Sequence, residues 1–301
     1  MKQPVDARAS DPPSAAAGKA GAPHRLKRWG LIAVGVLLAA YLAVLTWLWL
    51  KQEALIFHPE PLPASHQFEL PADVHEVRID VPGAQLDASH MRLPHPDGVV
   101  FYLHGNGGNL TSWFVNADFY RQLNVDLFMV DYRGYGKSTG HIESEAQLMA
   151  DVQAAWQSIA PRYAGKRVIF FGRSLGTGLA AKLAASLTPA QRPNLLVLVS
   201  PYISMQTMAQ ELYPFVPSAL IRYPLRTDEA LKTLGGQTPV LILHGDQDTL
   251  IPYRHAETLS RLSSGMTLRP VPGAGHGDVH TYDVYLDTLR QAIRSTVKPL
   301  N

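Results

Sequence analysis

The hydrophobic residues of the chain follow two patterns, and one gives way to the other near residue 50. From Trp29 to Leu50 the chain reads WGLIAVGVLLAAYLAVLTWLWL, without a single charged residue. As an α-helix this run would be about 33 Å long, close to the hydrocarbon thickness of a bilayer. Tryptophans near both ends of the run suit the membrane interface. The pattern predicts a transmembrane helix over residues 29–50.

A cleaved signal peptide is the alternative interpretation of this run. Its apolar part is usually about 7–15 residues long and precedes a small-residue cleavage site. Here the run is longer and is followed by Lys51-Gln52-Glu53, so we expect an uncleaved anchor. Arg25, Lys27 and Arg28 precede the run. This asymmetry predicts a cytoplasmic N-terminus and a main domain on the non-cytoplasmic side, which is the periplasm in a Gram-negative cell.

Beyond residue 73, short apolar runs alternate with segments of helical pattern. This alternation predicts an α/β fold, with a mainly parallel sheet and helices on both faces. The predicted strands are Val74–Val81, Val99–Leu103, Val125–Val130, Arg167–Phe171, Leu195–Val199, Pro239–Leu243 and Leu268–Val271. The predicted helices near the later strands are Glu143–Ile159, Leu175–Leu187, Pro252–Leu262 and Val279–Val297.

A proline-rich stretch, Ser200–Leu234, interrupts this alternation and is predicted to form a small cap over the site. The start of the chain is rich in Ala, Pro, Ser and basic residues, which is typical of a disordered tail. The predicted parts are a tail at 1–28, an anchor at 29–50, a linker at 51–73 and an α/β domain at 74–301, with the cap at about 200–236.

Composition limits the chemistry. The chain has 301 residues, of which 46% are hydrophobic, and a net charge of +2. Basic residues gather near the N-terminus and form no stripe in the body of the chain, so nucleic acid is not an expected partner. The chain has no cysteine, which excludes disulfides, thiolate metal sites and a cysteine nucleophile.

The predicted strand Arg167–Phe171 leads into Gly172-Arg173-Ser174-Leu175-Gly176 and then into an Ala/Leu-rich helix. This strand–turn–helix setting is the one in which a G-x-S-x-G motif forms a nucleophile elbow. The turn is sharp, so glycines flank it, and it leaves the serine hydroxyl exposed at the helix N-terminus. The motif alone arises by chance in many chains. Its placement predicts that Ser174 is a nucleophile.

A serine nucleophile needs a base that a third group orients. His276 follows the last predicted strand, and Asp246 and Asp248 follow the strand before it. The order serine, acid, histidine is the one that the elbow demands. We expect His276 to be the base and Asp248 to orient it, with Asp246 as the competing candidate for the acid.

The predicted strand Val99–Leu103 ends in His104-Gly105-Asn106-Gly107-Gly108-Asn109. Glycines in this loop allow the backbone to approach a substrate closely. The N–H groups of Asn106 and Leu175 are the predicted donors to a developing oxyanion. His104 is expected to be structural.

Two other motifs resemble ligand-binding sites but lack residues that those sites require. Gly136-Lys137-Ser138 resembles the end of a phosphate-binding loop, but Asp131 stands where the first glycine belongs. His276 and His280 have the spacing of two zinc ligands on a helix, but the accompanying glutamate is missing. No nucleotide, metal ion or other cofactor is expected.

The motifs FYLHGNGGN, DYRGYGKSTG, FFGRSLGTG, LILHGDQD and GAGHGD, in this order, resemble the α/β-hydrolase superfamily. More narrowly, the chain is similar to its membrane-anchored branch, which has one N-terminal span, a small cap and an HGN oxyanion loop. The segment LIFHPEPLP is also similar to the linker of that branch. The resemblance covers about residues 55–297. It implies a catalytic triad of Ser174, Asp248 and His276, with oxyanion N–H groups from Asn106 and Leu175.

The resemblance implies hydrolysis of carboxylic esters or thioesters through an acyl-enzyme. An anchor would favour lipids and acylated proteins as substrates, because it raises the local concentration of the enzyme at the membrane. Acyl transfer by the same triad and a non-catalytic, membrane-tethered binding module are the alternatives. Peptidase activity is less expected, because no acidic residue is assigned to hold a substrate amine. Aromatic residues of the predicted cap suit either an acyl chain or a core, namely Tyr202, Tyr213, Phe215 and Tyr223.

Overall fold

The computed structural model describes residues 22–296, and this part of the chain forms two compact units that meet between Leu48 and Trp49 in the sequence. Helix α1 spans Ala22–Leu50, and its part from Lys27 to Leu50 is long and apolar enough to cross a membrane. By length and composition alone, a signal sequence would pass the same test.

Helix α1 begins earlier than the apolar run does. The prediction of a disordered tail is wrong for residues 22–28, which form the first turns of this helix. Leu, Lys and Arg are good helix formers, so the helix continues beyond the apolar run towards the N-terminus. The remainder of the predicted tail, residues 1–21, lies outside the described residues.

The second unit is built on an eight-stranded sheet with the order β1-β2-β4-β3-β5-β6-β7-β8. The first two strands are antiparallel to their neighbours, and the remaining strands run parallel to one another. The expectation of a mainly parallel sheet is therefore confirmed. The strands are β1 Val74–Val81, β2 Ala84–Met91, β3 Gly98–Leu103, β4 Val125–Val130, β5 Arg167–Arg173, β6 Leu195–Val199, β7 Val240–Gly245 and β8 Met266–Val271.

Neighbouring residues of a strand point to opposite faces of the sheet. Both faces of this sheet are apolar, and helices pack against each of them. Phe101 packs against Trp156 on one face, while Tyr102 belongs to the buried cluster of Tyr285 on the other. The helices after α1 are α2 Gln52–Ile56, α3 Leu110–Trp113, α4 Ala117–Arg121, α5 Glu145–Ile159, α6 Leu175–Ser186, α7 Met205–Leu212, α8 Thr227–Leu234, α9 Arg254–Ser260 and α10 Asp283–Ser295.

Strand β2 was not predicted from the sequence. Its residues, AQLDASHM, include buried polar side chains, so no apolar run marks it. It pairs with β1 through a tight hairpin in which Val81 lies opposite Ala84. Pro82 and Gly83 form the turn, and Gly83 has a φ of +76°, which glycine adopts readily.

Residues 51–73 are part of the second unit rather than a separate linker. Phe57 is 5% exposed, and its ring meets the edge of the Tyr223 ring at 5.2 Å. Pro61 forms a β-bridge with Gly136. The predicted boundary at residue 74 is therefore wrong, because Phe57 packs into the domain core and Pro61 pairs with Gly136.

The segment predicted as a cap, about residues 200–236, divides into two parts. Helix α8 packs against α6 and buries Leu231 and Leu234, so this part belongs to the layer that covers the sheet. Tyr202 and Tyr223 are also buried in the core. Only the part from α7 to Ile221 has mostly exposed or half-buried residues.

Candidate active site

Ser174 stands in the turn between β5 and α6, where the sequence places a nucleophile elbow. Its φ is +51°, a strained value for a residue with a side chain. The turn is held because the N–H of Ser174 donates to the carbonyl oxygen of Val199, at 2.9 Å. A side chain at Gly176 would clash with the carbonyl oxygen of Leu103, so this position requires glycine. The tight elbow therefore follows from close packing of α6 against the end of β3.

His276 lies beside Ser174, in the loop that follows β8. Its Nε2 atom is 3.0 Å from Oγ of Ser174, and its Nδ1 atom is 2.8 Å from Oδ2 of Asp248. With the imidazole proton on Nδ1, His276 donates to the carboxylate and accepts from the serine hydroxyl. The structure thus brings together the three residues that the sequence singles out, from three different strand ends.

The carboxylate of Asp248 is buried and fully engaged in hydrogen bonds. Oδ1 accepts from the N–H groups of Leu250 at 3.0 Å and Ile251 at 2.8 Å, while Nε2 of His244 lies 3.2 Å from Oδ2. Burial raises the pKa of Asp248, but hydrogen bonds from His244, His276 and Ile251 outweigh it and hold the pKa well below the ordinary value. Asp248 therefore stays ionised at neutral pH.

Asp246, the competing candidate for the acid, lies elsewhere in the same loop. Its Oδ1 atom accepts a hydrogen bond from the N–H of Gly273, at 2.8 Å. Gly273 lies in the loop after β8 that carries His276, so Asp246 ties two loops together. Among the two carboxylates, the one that contacts the imidazole is Asp248.

The loop after β3 approaches Ser174 closely. A Cβ atom at Gly105 would lie 3.4 Å from the Cβ of Ser174 and 2.9 Å from the ring of Trp113. The side chain of Asn106 fixes this loop, since its Oδ1 accepts from the N–H of His58 at 2.9 Å and from the hydroxyl of Tyr135 at 3.3 Å. The segment that follows the predicted anchor therefore holds the loop that carries a predicted oxyanion donor.

Leu175, the other predicted donor, is the first residue of α6. N–H groups in the first turn of a helix have no acceptor within the helix, so they are available to an anion at this end. Ser174 immediately precedes Leu175 in the elbow.

His104 is buried and hydrogen-bonded within its own loop, as expected for a structural residue. Its Nδ1 atom lies 2.8 Å from the carbonyl oxygen of Gly105, and its own carbonyl oxygen accepts from the hydroxyl of Tyr132 at 2.8 Å. Its ring lies 5.7 Å from that of Trp113 and nearly parallel to it. These contacts position the turn from β3 into the loop.

Arg173 is a functional candidate that the sequence reasoning missed. Its Nη2 atom donates to the carbonyl oxygens of His276 at 3.1 Å and Gly277 at 3.0 Å. Its guanidinium also lies 5.4 Å from the ring of Trp113, whose Nε1 donates to the carbonyl oxygen of Gly107 at 2.9 Å. Arg173 thus connects the loop of the base to the loop after β3. Its place inside the motif was the only available signal.

A cavity of about 490 Å³ opens at Ser174 and His276. Its lining is mixed: aromatic and aliphatic side chains lie beside polar ones, which include Arg173, His280 and the exposed Glu60. None of the residues that line the cavity belongs to the predicted cap, 200–236. The expectation that this segment covers the site is therefore wrong. The aromatic and aliphatic lining residues include Tyr102, Trp113, Tyr120, Leu127, Met129 and Tyr285.

The motifs that resemble a phosphate-binding loop and a zinc site make contacts within the protein. The hydroxyl of Ser138 donates to the carbonyl oxygen of Asp131 and accepts from the N–H of Asp87, which closes a turn. Nδ1 of His280 lies 3.2 Å from Nη1 of Arg173. Within residues 22–296, no group of three or more His, Asp or Glu side chains is placed to hold a metal ion.

Comparison with known proteins assigns the family. A family described as serine aminopeptidase, S33, matches residues 94–227. An uncharacterised protein of Mycobacterium tuberculosis is 31% identical over 284 residues, which cover 90% of this chain and 97% of that protein. The human α/β-hydrolase domain-containing protein 17B is 31% identical over 207 residues, covering 66% of this chain and 67% of that protein. The chain belongs to the α/β-hydrolase superfamily.

Solved structures agree with this assignment at the level of the fold. An esterase of Pyrococcus furiosus has a TM-score of 0.61 at 17% identity. The match covers 80% of this hydrolase and 96% of the esterase chain. An α/β hydrolase of Vibrio vulnificus has a TM-score of 0.62 at 20% identity, with 73% and 81% covered. At these identities the likeness concerns the fold and not the substrate.

Proposed function

We propose that this hydrolase is a membrane-anchored serine hydrolase that cleaves carboxylic ester or thioester bonds through an acyl-enzyme on Ser174. The observation that carries the proposal is the line of hydrogen bonds from Ser174 Oγ to His276 Nε2, at 3.0 Å, and from His276 Nδ1 to Asp248, at 2.8 Å. A serine with a base in hydrogen-bond reach, itself oriented by a carboxylate, is the arrangement that activates a hydroxyl for attack on a carbonyl carbon.

The reaction has two halves. In the first, Ser174 Oγ attacks the carbonyl carbon while Nε2 of His276 takes its proton, and His276 then returns that proton to the departing alcohol or thiol. In the second, water gives a proton to His276 and attacks the carbonyl carbon of the acyl-enzyme, and His276 then returns that proton to Ser174 Oγ as the acid is released. The ionised Asp248 stabilises the imidazolium in both halves, and the N–H groups of Asn106 and Leu175 hold the oxyanion.

The cavity at Ser174 supports an acyl group as the substrate. Part of its lining is aromatic or aliphatic, and its volume of about 490 Å³ is within the range of small-molecule pockets. The aromatic residues that line it come from β3, α3, α4 and α10 and not from the predicted cap. Tyr213 and Phe215, which the sequence left as candidates for an acyl site, are not among the lining residues.

The anchor is the other half of the proposal. Helix α1 supplies a candidate span, Lys27–Leu50, and Arg25, Lys27 and Arg28 lie at its N-terminal end. The positive-inside rule places this end in the cytoplasm and the hydrolase unit on the opposite side, the periplasm in a Gram-negative cell. The substrates in reach are then esters of lipids and acylated proteins at that face of the membrane.

An aminopeptidase activity is the second candidate, because Glu60, an exposed acidic residue, is among the residues that line the cavity. A carboxylate there could bind the free amine of a peptide. Substitution of Glu60 by Gln tests this point, since it would lower the hydrolysis of aminoacyl amides and leave uncharged esters unaffected.

A substrate panel tests the proposal as a whole. The full chain is offered acyl esters and acyl thioesters of graded chain length, together with aminoacyl amides, and Ser174→Ala serves as the control. The proposal expects hydrolysis of esters or thioesters that the control lacks. Turnover of the amides alone would replace the acyl-ester function, and product formed on an added alcohol instead of water would indicate acyl transfer.

A further inference from the structure

An uncharged stretch of the chain, Leu212–Ile221, forms exposed surface between α7 and the buried Tyr223. It reads LYPFVPSALI, and Leu212 is 65% exposed, Phe215 49% and Tyr213 42%. Pro214 and Pro217 lie between these apolar residues, so the loop does not continue α7. Contiguous apolar surface of this kind marks a site of contact with a membrane or another molecule.

The chain that leaves helix α1 is fixed at the base of this loop. Gln52 donates from Nε2 to the carbonyl oxygen of Leu220 at 2.6 Å, and its Oε1 accepts from the N–H of Arg222 at 2.8 Å. Arg222 in turn pairs with Glu53 at 2.6 Å, and its guanidinium lies 5.1 Å from the ring centroid of Trp49. The hydroxyl of Tyr223 adds a bond to Glu53, at 2.8 Å. The bonds join α2, which directly follows α1, to the end of the loop, and Arg222 also contacts Trp49 of α1.

The loop is therefore close to the end of the candidate span. Phe215 is five residues from Leu220, which is at most about 18 Å of extended chain. Trp49 belongs to the last turn of α1, where a spanning helix reaches the membrane interface. Tyrosine and other amphipathic or aromatic side chains are favoured at that depth.

We propose that Leu212–Ile221 is a lipid-contacting loop that inserts its apolar side chains into the bilayer surface. The proposal rests on the proposed membrane anchor and not on the chemistry of Ser174. Together, the loop and the anchor give the hydrolase unit two points of attachment. Two points restrict the orientation of the unit on the bilayer, which a single flexible tether does not.

The charges that flank the loop favour a bilayer over a protein partner. Glu211 pairs with Arg254 at 2.8 Å and with His255 at 3.1 Å, and Arg222 pairs with Glu53. Both flanking charges are thus bound within the domain, and the stretch between them has none. Insertion into lipid consequently requires no bare charge to leave water, whereas a protein interface usually carries a polar rim.

The absence of cysteine allows a direct test on the full chain. Leu212→Cys and Phe215→Cys variants carry a nitroxide label and are reconstituted in vesicles of phosphatidylcholine and phosphatidylglycerol. Val284→Cys is the matched control, because Val284 is 49% exposed, as Phe215 is, and lies on α10. Collision of the label with oxygen, which enters lipid, is compared with collision with a water-soluble nickel chelate.

The proposal predicts that the ratio of oxygen to nickel collisions at residues 212 and 215 exceeds that at residue 284 about tenfold, because the polar chelate is excluded from hydrocarbon. Equal ratios at the three positions would overturn it. Magnetic broadening between labels on different copies would also overturn it, by showing that a second copy covers the loop. Failure of the wild type to float with vesicles would refute the anchor itself, whereas loss of Ser174 chemistry would leave the collision ratios unchanged.

A functional test separates the loop from the catalytic site. The double substitution Leu212→Ser with Phe215→Ser leaves the cavity at Ser174 intact. It is expected to lower the hydrolysis of an ester embedded in vesicles about fivefold, and to leave a soluble short-chain ester unaffected, because only the membrane substrate depends on surface attachment. Equal rates on both substrates relative to wild type would contradict the proposal.

Discussion

Nη2 of Arg173 donates a hydrogen bond to the carbonyl oxygen of His276 at 3.1 Å. The residue next to the proposed nucleophile thereby holds the backbone of the proposed base. A catalytic group displaced by about 1 Å can cost about 10²-fold in rate. We therefore expect Arg173→Met to lower kcat about 10- to 100-fold with little change in KM, because the loop of His276 loses its support.

The measurement is steady-state kinetics on a short-chain ester, with the thermal midpoint as a check that the variant folds. Arg173→Lys retains a donor in the same place and should recover part of the lost kcat. A folded Arg173→Met enzyme with wild-type kcat would show that Arg173 does not position the base.

The second prediction concerns Asn106, whose side chain accepts hydrogen bonds from His58 and Tyr135. Asn106→Ala removes this clamp while its backbone N–H remains. The oxyanion loop then becomes less well ordered, and we expect kcat to fall about 10- to 100-fold, below the cost of removing a donor outright. Asn116→Ala is the matched control, because Asn116 is an exposed residue that lines the same cavity. Equal kinetics of the two variants would contradict the role of the clamp.

Asp248 gives a prediction on pH. A carboxylate whose folded-state pKa is lowered stabilises the fold above its unfolded pKa of about 3.9, and this contribution is lost as the pH falls towards the folded pKa. We expect the thermal midpoint of the wild type to fall more steeply than that of Asp248→Asn below about pH 4. Parallel curves would show that Asp248 has no such linkage. At neutral pH the same substitution should lower kcat about 10⁴-fold, because an amide cannot stabilise the imidazolium.

Asp87 lies outside the proposed active site, and its pKa is shifted in the direction opposite to that of Asp248. Burial and the neighbouring Glu76 raise the pKa of Asp87 to about 7. Between the unfolded pKa of about 3.9 and this value, folding takes up a proton, so the contribution of Asp87 to stability becomes less favourable as pH rises. Asp87→Asn should therefore raise the thermal midpoint at about pH 8 by roughly 2–8 °C, with a smaller gain towards pH 4. A loss of stability at pH 8 would refute this assignment.

The sequence predicted most of the sheet because parallel strands are marked by short apolar runs. It also placed Ser174, Asp248 and His276 together, since each follows a strand and the carboxyl ends of parallel strands meet at one edge. These inferences needed only local pattern and chain order.

Other features depend on contacts that no local pattern encodes. Strand β2 buries Asp87, Ser89 and His90, so it lacks the apolar signature of a strand. Arg173 donates a hydrogen bond to the carbonyl oxygen of His276, more than a hundred residues along the chain, and nothing in the motif identifies that partner. The prediction of a cap over the site was wrong because it also depended on tertiary contacts. Its aromatic residues look alike in sequence, but Tyr202 is buried and Phe215 is exposed, a difference that only tertiary packing decides.

The most direct test of the account is covalent labelling of the serine. A fluorophosphonate probe reacts with a serine that a neighbouring base activates, and the full-length hydrolase is compared with Ser174→Ala and with His276→Ala. The account predicts one labelled serine, Ser174, with labelling abolished in the first variant and strongly reduced in the second. Labelling that persists in Ser174→Ala, or none in the folded wild type, would contradict Ser174 as the nucleophile.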